Sequence, residues 1–263
     1  MNKTGLLRFE NFGNALPVTN PSYGKPPYYM RGYENLSITF ETDYECAASF
    51  LPAPLEFVED KPLVNISVRR IPFTTFGSAL EASISFNVNF RGEQWKYYPC
   101  YYVGSDGTDN ETGMLMGREY YGNAKKLAKI ELVNENNCFV GTVSRPGRVP
   151  LFTVTISPRF HVDLPLESRT NQMNLRYIPG LGESDGPDIC QLVGQRCVAH
   201  PVVGCDGLTD SWGGTGSVTF YTQSDDEPWY KLKVNHIVSA NFGRWHNYVP
   251  SGFVLHDYLK NKE

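Results

Sequence analysis

Two adjacent lysines, Lys125 and Lys126, close the run Gly117-Arg118-Glu119-Tyr120-Tyr121-Gly122-Asn123-Ala124-Lys125-Lys126. A primary amine attacks a carbonyl carbon only when unprotonated, and a free lysine, with a pKa of about 10.4, is almost wholly ammonium at neutral pH. Burial away from water and a second positive charge nearby both lower that value. A lysine pair sunk in an apolar pocket supplies both conditions, and with them an imine-forming nucleophile. The commoner role of a Lys-Lys dipeptide is solvated surface charge, so the flanking residues have to decide between the two.

The elements around the pair set its geometry. Residues 118–127 contain no β-branched side chain, which predicts a short helix or turn there. On a helix, Tyr121 stands one turn before Lys125 on the same face. Lys126 then lies about 100° round from Lys125, close to it at the base. The rest of the chain reads mostly as strand. Residues 82–90 alternate cleanly, with Ile84, Phe86, Val88 and Phe90 on one face and Ser83, Ser85, Asn87 and Asn89 on the other. Residues 63–71, 95–103, 139–144, 151–162, 174–178 and 217–222 are further candidate strands, separated by Gly, Pro and Asn. Residues 104–113 read as a polar loop, and 43–51 as a short helix capped by Asp43 and stopped by Pro52. Many strands with few helices predict an antiparallel β-barrel or sandwich. We expect one domain over 1–263, with 1–30 an extended arm rich in Pro, Gly, Asn and Tyr near its end.

Composition narrows the function classes. The 263-residue chain carries a net charge of −4 and has no basic run, which argues against a nucleic-acid partner. No segment has the apolar length of a bilayer span. Residues 1–15 lack the apolar stretch of an export signal, so a cytoplasmic protein with reduced thiols is expected. The six cysteines and five histidines form no Cys-x-x-Cys or His-x-x-x-His, and no metal site is expected. Gly213-Gly214-Thr215-Gly216 is followed by a strand, not by a helix N-terminus, and reads as a turn instead of a phosphate loop. No Gly-x-Ser-x-Gly elbow is present.

The segment Gly117-Arg118-Glu119 followed by Lys125-Lys126-Leu127 resembles the active-site segment of the acetoacetate decarboxylase family. The likeness extends to Tyr28-Tyr29-Met30-Arg31 and to Ile38-Thr39-Phe40-Glu41. It continues through Leu51-Pro52-Ala53-Pro54-Leu55, Leu175-Arg176-Tyr177-Ile178-Pro179, Asp188-Ile189-Cys190-Gln191-Leu192, Ile237-Val238-Ser239-Ala240 and His256-Asp257-Tyr258-Leu259, in order, from about Pro27 to Leu259. That family is itself the standard instance of a lysine activated by a neighbouring cation.

The resemblance implies a mainly β fold, a curved cone-like antiparallel barrel with few short helices, assembled as a homo-oligomer. It implies that Lys125 is the Schiff-base nucleophile of a decarboxylase acting on a small β-keto acid, with no cofactor. Lys126 is implied as the neighbouring charge, Glu81 as a proton-transferring carboxylate, and Arg31 as the binder of the substrate carboxylate. Tyr121 is expected to line the pocket. Two features depart from the family pattern: Ser67 stands where a second glutamate is usual, and Ala124 replaces a common proline. The missing carboxylate keeps two other readings open, a Schiff-base aldolase-dehydratase or cyclase without CO₂ loss, and a non-catalytic barrel that only binds a small ligand.

Overall fold

The computed structural model describes residues 5–104, 110–182, 186–221 and 223–260. Half of the expected 104–113 loop, residues 105–109, and the end of the expected strand at 222 lie outside the described residues, while 111–113 are helical and not loop. Fourteen strands join in one sheet. In chain order they are β1 (Tyr28–Glu41), β2 (Glu56–Phe57), β3 (Leu63–Ile71), β4 (Phe73–Thr74), β5 (Ala79–Phe90), β6 (Glu93–Gly104) and β7 (Lys125–Glu135), then β8 (Cys138–Ser144), β9 (Pro150–His161), β10 (Ser168–Pro179), β11 (Pro187–Pro201), β12 (Ser211–Phe220), β13 (His236–Val249) and β14 (Phe253–Asp257). Helix α1 (Tyr44–Ala48) follows β1, and α2 (Glu111–Met116) runs into a π-helical turn at Gly117–Tyr121.

The sheet coils back on itself twice. Pairing of β5 with β6 closes one ring through β7, β8, β9, β12, β13, β1 and β3. Pairing of β11 with β13 closes another through β1, β3, β5, β6 and β10. Strands β13, β1, β3, β5 and β6 are thus a wall common to both. The fold is the mainly β, curved, cone-like architecture expected, with one difference: the sheet is mixed, because β6 runs parallel to both β7 and β10. The long excursion between β6 and β7, which includes α2, makes the first of these parallel crossings possible.

Side-chain alternation divides the wall into two faces. Leu36, Ile38, Val64, Ile66, Ala82 and Ile84 are fully buried on one face. They meet Ile130, Phe152, Val154 and Ile156 from the opposite side of the first ring in one hydrophobic core. Each such side chain contributes about 1.5–3 kcal/mol by leaving water. The other face is polar: Asn35, Ser37, Asn65, Ser67 and Arg69 line a cavity inside the second ring. Ser67 pairs across the sheet with Ser83 and Ser37, and Arg69 with Glu81.

Three expectations need correction. The stretch 118–127 is not one helix: helical structure ends at Tyr121, Gly122 turns left-handed at φ 77°, and Lys125 already begins a strand. Gly213 and Gly214 lie within β12, not in a turn. A Cβ on Gly214 would sit 2.0 Å from the Ser157 carbonyl oxygen, so glycine there permits close strand approach at an irregularity in the pairing with β9. Asp43 precedes α1 as expected, but its carboxylate does not cap the helix. It binds Lys233 at 2.8 Å and Asn235 at 2.7 Å.

Candidate active site

Lys125 opens β7 beside Tyr101 of β6 and shares its direction into the second ring. The chain before it is fixed at several points. The Asn123 and Lys125 amides donate to the Gly117 and Asn123 carbonyls at 2.8 and 2.7 Å. Arg118 donates to the Lys125 carbonyl at 2.9 Å, and Arg176 to the Glu119 carbonyl at 2.7 Å. The arm adds a further tie, because the Tyr23 hydroxyl donates to Glu119 at 2.9 Å. Ala15, Tyr23 and Tyr28 of the arm pack with Met116 and Tyr121 over this turn.

The Lys125 side chain is only 5% exposed. Its Nζ lies 3.2 Å from Glu81 Oε2 and donates to the Gly113 carbonyl at 2.9 Å. Glu81 Oε1 in turn accepts from Arg69 at 2.9 Å, and Arg69 Nε donates to Asn35 at 3.2 Å. One half-buried carboxylate therefore bridges two cations, the buried Lys125 and the half-buried Arg69. Burial alone would raise the Glu81 carboxyl, but the facing Lys125 and Arg69 charges outweigh it and hold it below the usual carboxylate range.

The cavity around Lys125 encloses about 90 Å³. That is room for several water-sized groups, which suits a small organic acid. Its wall is unusually phenolic: Tyr28, Tyr33, Tyr98, Tyr101 and Tyr121 all border it. Burial pushes the Tyr33 and Tyr98 phenols up to about 12, so both are neutral hydrogen-bonding groups at physiological pH. Three buried amide atoms among its lining residues, Asn123 Oδ1, Gln195 Nε2 and Asn247 Oδ1, have no hydrogen-bond partner.

Of the residues expected at the site, the structure brings together Lys125, Glu81 and Tyr121. Tyr121 reaches the cavity from the π-helical turn, not from a helix shared with Lys125, and its hydroxyl donates to the Pro250 carbonyl at 2.7 Å. Lys126 is not brought in. Successive strand residues point to opposite faces, and its Nζ lies 3.3 Å from Glu227 and 2.6 Å from the Asp226 carbonyl oxygen. Glu227 is the hub of that separate cluster, pairing also with Arg145 at 3.3 Å and with Trp229 at 3.3 Å. Arg31 is exposed and lies over the Tyr29 ring, 5.4 Å from its centroid, outside the cavity. The positive charge expected of these two residues is supplied in the cavity by Arg69. A signal for it was present: in 63–71, Asn65, Ser67 and Arg69 alternate with Val64, Ile66 and Val68.

The profile of the acetoacetate decarboxylase family matches residues 15–259. The chain belongs to the acetoacetate decarboxylase family. Among its relatives, acetoacetate decarboxylase 2 of Mesorhizobium japonicum is 33% identical over 255 residues, 95% of this chain and 91% of that protein. The acetoacetate decarboxylase of Clostridium botulinum is 28% identical over 251 residues, 93% and 95% of the two chains. A solved acetoacetate decarboxylase superposes with a TM-score of 0.81 at 24% identity, covering 96% of this chain and all of that one. The same fold occurs in the enduracididine biosynthesis enzyme MppR complexed with pyruvate, with a TM-score of 0.73 at 18% identity over 94% and 98% of the two chains. Family membership makes the chain an acetoacetate decarboxylase-like protein. No helix among the described residues is long and apolar enough to cross a membrane.

Proposed function

We propose that the protein decarboxylates a β-keto acid through an imine on Lys125. The observation that carries this reading is the buried lysine at the cavity wall, with its Nζ 3.2 Å from a carboxylate that Arg69 holds in place. Glu81 accepts a proton from the Lys125 ammonium and frees the amine. The amine adds to the substrate ketone, Glu81 returns its proton to the carbinol oxygen, and loss of water leaves an iminium. Electrons of the C–CO₂ bond flow into that cation, releasing CO₂ and forming an enamine. A water that Glu81 orients protonates the enamine carbon, and the hydroxide left adds to the resulting iminium, returning a ketone and free Lys125. Carboxylates suit such repeated proton transfers when they sit within hydrogen-bond reach.

Burial serves this chemistry, because a dry cavity stabilises the spreading of negative charge from a carboxylate into an iminium. Arg69 is a positioning residue in this scheme, since it orients Glu81 and keeps it ionised. Tyr98 and Tyr101 supply neutral donors toward the substrate oxygens. Under this reading the protein works in the cytoplasm as a homo-oligomer and needs no cofactor, as the family likeness implies.

A second reading is kept by the three unpartnered amide atoms: two of them, Asn123 Oδ1 and Asn247 Oδ1, are acceptors, and a β-keto acid anion has no donor to offer them. It is a Schiff-base aldolase or dehydratase that joins or reshapes keto acids without CO₂ loss. The test is incubation with a panel of β-keto and α-keto acids, with CO₂ evolution and product masses followed together. Borohydride added during turnover should leave one reduced adduct per chain, on Lys125. CO₂ release with trapping supports decarboxylation; trapping with condensation products supports the second reading. Absence of any adduct with every active substrate removes the imine.

A further inference from the structure

Beyond Arg69 the lumen of the second ring continues into a second compartment of about 220 Å³. Tyr33, Arg69, Tyr98, Gln172 and Asn247 border both spaces, so the two adjoin through these side chains. The second compartment has an unusual inventory. Two cations, Arg69 and Lys96, line it, together with the hydroxyls of Ser37, Ser67, Ser168 and Thr170, and no carboxylate is among its described lining residues. Glu81 neutralises Arg69 from the Lys125 side. Among the described residues Lys96 has no ion pair and no side-chain hydrogen bond. Burial, and then the nearby Arg69 charge, lower its pKa, which is the signature of a cation held without a counterion. At the boundary, the buried Asn247 Oδ1 has no partner, and a turn of that amide would present its Nδ2 donor instead.

Lys96 is half-buried, and a charge partly withdrawn from water without a partner loses hydration and gains nothing for it. An oxyanion would give Lys96 the partner that the described lining residues do not supply. We propose that this compartment binds a second carboxylate of the substrate, and that the substrate is therefore a keto diacid, with one end at Lys125 and the other at Lys96. This rests on the Lys125 reading for the reacting end only. Lys96 precedes Tyr101, the neighbour of Lys125, by five residues on β6, which is roughly 16 Å of extended strand. The two lysine stems span part of that distance, and a medium-length carbon chain spans the rest. Ser67 belongs to this site: a carboxylate there would repel the diacid, whereas the hydroxyl present, which donates to Asn65 Oδ1 at 3.1 Å, can rotate to donate to it instead.

Turnover is measured with 3-oxoadipate and 3-oxosuberate against 3-oxohexanoate and 3-oxooctanoate, each pair differing only in a terminal carboxylate for a methyl. At least one diacid should exceed its monoacid partner tenfold or more in kcat/KM. Lys96→Met and Ser67→Glu should each reduce that ratio by tenfold or more, while Lys96→Arg keeps it. Calorimetric binding of adipate, suberate and hexanoate, which have no ketone, reads the same site without any chemistry. A diacid that binds but is not decarboxylated leaves the carboxylate site standing and removes the decarboxylase reading. Equal affinity for diacid and monoacid, or a preference that survives both Lys96→Met and Ser67→Glu, overturns the proposal. So does inorganic phosphate that binds through Lys96 without competing with the diacids, since that is an independent anion site.

Discussion

Gly117 offers a way to move the reactive amine without touching it. Its backbone is ordinary right-handed helix, at φ −59° and ψ −49°, so alanine fits the conformation without strain. A Cβ placed there lies 2.7 Å from Lys125 Cε, 2.9 Å from Cδ and 3.2 Å from Nζ. Carbon atoms in good contact stand about 3.5–4.0 Å apart, so the lysine end has to retreat by roughly 1 Å. The retreat is cheap for the fold, because the atoms displaced belong to a flexible side chain, and alanine recovers about 0.5–1 kcal/mol of helix propensity and chain entropy. It is expensive for chemistry, since a shift of that size can cost ~100-fold in rate, equivalent to about 2.7 kcal/mol of barrier. Gly117→Ala is therefore expected to keep its melting temperature within about 3 °C of wild type while kcat and the rate of borohydride trapping fall by roughly two orders of magnitude. Calorimetry and CO₂ release on the best substrate measure both. Wild-type activity in Gly117→Ala would refute the placement of Lys125 against this turn, and lost activity with a collapsed melting temperature would refute the claim that only the amine moves.

Lys125→Ala is expected to abolish turnover and trapping, with the fold retained, and a surviving adduct on another lysine would displace Lys125 from its role. Lys126→Ala, acting on the far face where Glu227 keeps Arg145, should lower stability by less than about 1 kcal/mol and leave the pH profile of activity unshifted; a raised pH optimum would reinstate Lys126 as the activating charge. Glu81→Gln strands Arg69 without a buried counter-charge and should cost roughly 3 kcal/mol, about 6–12 °C in melting temperature for a chain of this size, as well as most of the activity. The pH dependence follows from the depressed Glu81 carboxyl. Its folded value lies below the unfolded one, near 4.3, so its stabilisation is complete above that pH and disappears as pH falls through the folded value. The gap in melting temperature between wild type and Glu81→Gln should then close below about pH 4; a gap that stays constant into acid would show that Glu81 is not held ionised by its neighbours.

The lysine pair illustrates what a sequence can and cannot say about a site. Lys125 and Glu81 were legible as site candidates through the family likeness, Lys125 in the segment that follows Gly117-Arg118-Glu119 and Glu81 just ahead of the alternating run that became β5. What failed was the conversion of sequence adjacency into spatial adjacency. On a helix Lys126 stands next to Lys125; on a strand it stands behind it, and the difference turns on where the helix stops. That stop is set by Gly122, whose left-handed φ of 77° ends the π-helical turn. It is set also by the approach of Arg176, whose backbone would lie 2.5 Å from a Cβ at Gly122. Arg176 is more than fifty residues away in sequence, so no local propensity reports it. Arg69 was missed for the complementary reason. Its polar alternation with Val64, Ile66 and Val68 marks a face, but whether that face is solvent or lumen depends on ring closure by β10 and β11, far down the chain. The pairing that brings it to Glu81 is a matter of register between β3 and β5. A one-residue slip of β3 against β5 would turn Arg69 into the apolar core, away from Glu81. The hydrophobic pattern of Val64, Ile66, Ala82 and Ile84 forbids that slip, and so the residues that build the core also hold the charged triad of Lys125, Glu81 and Arg69 in place.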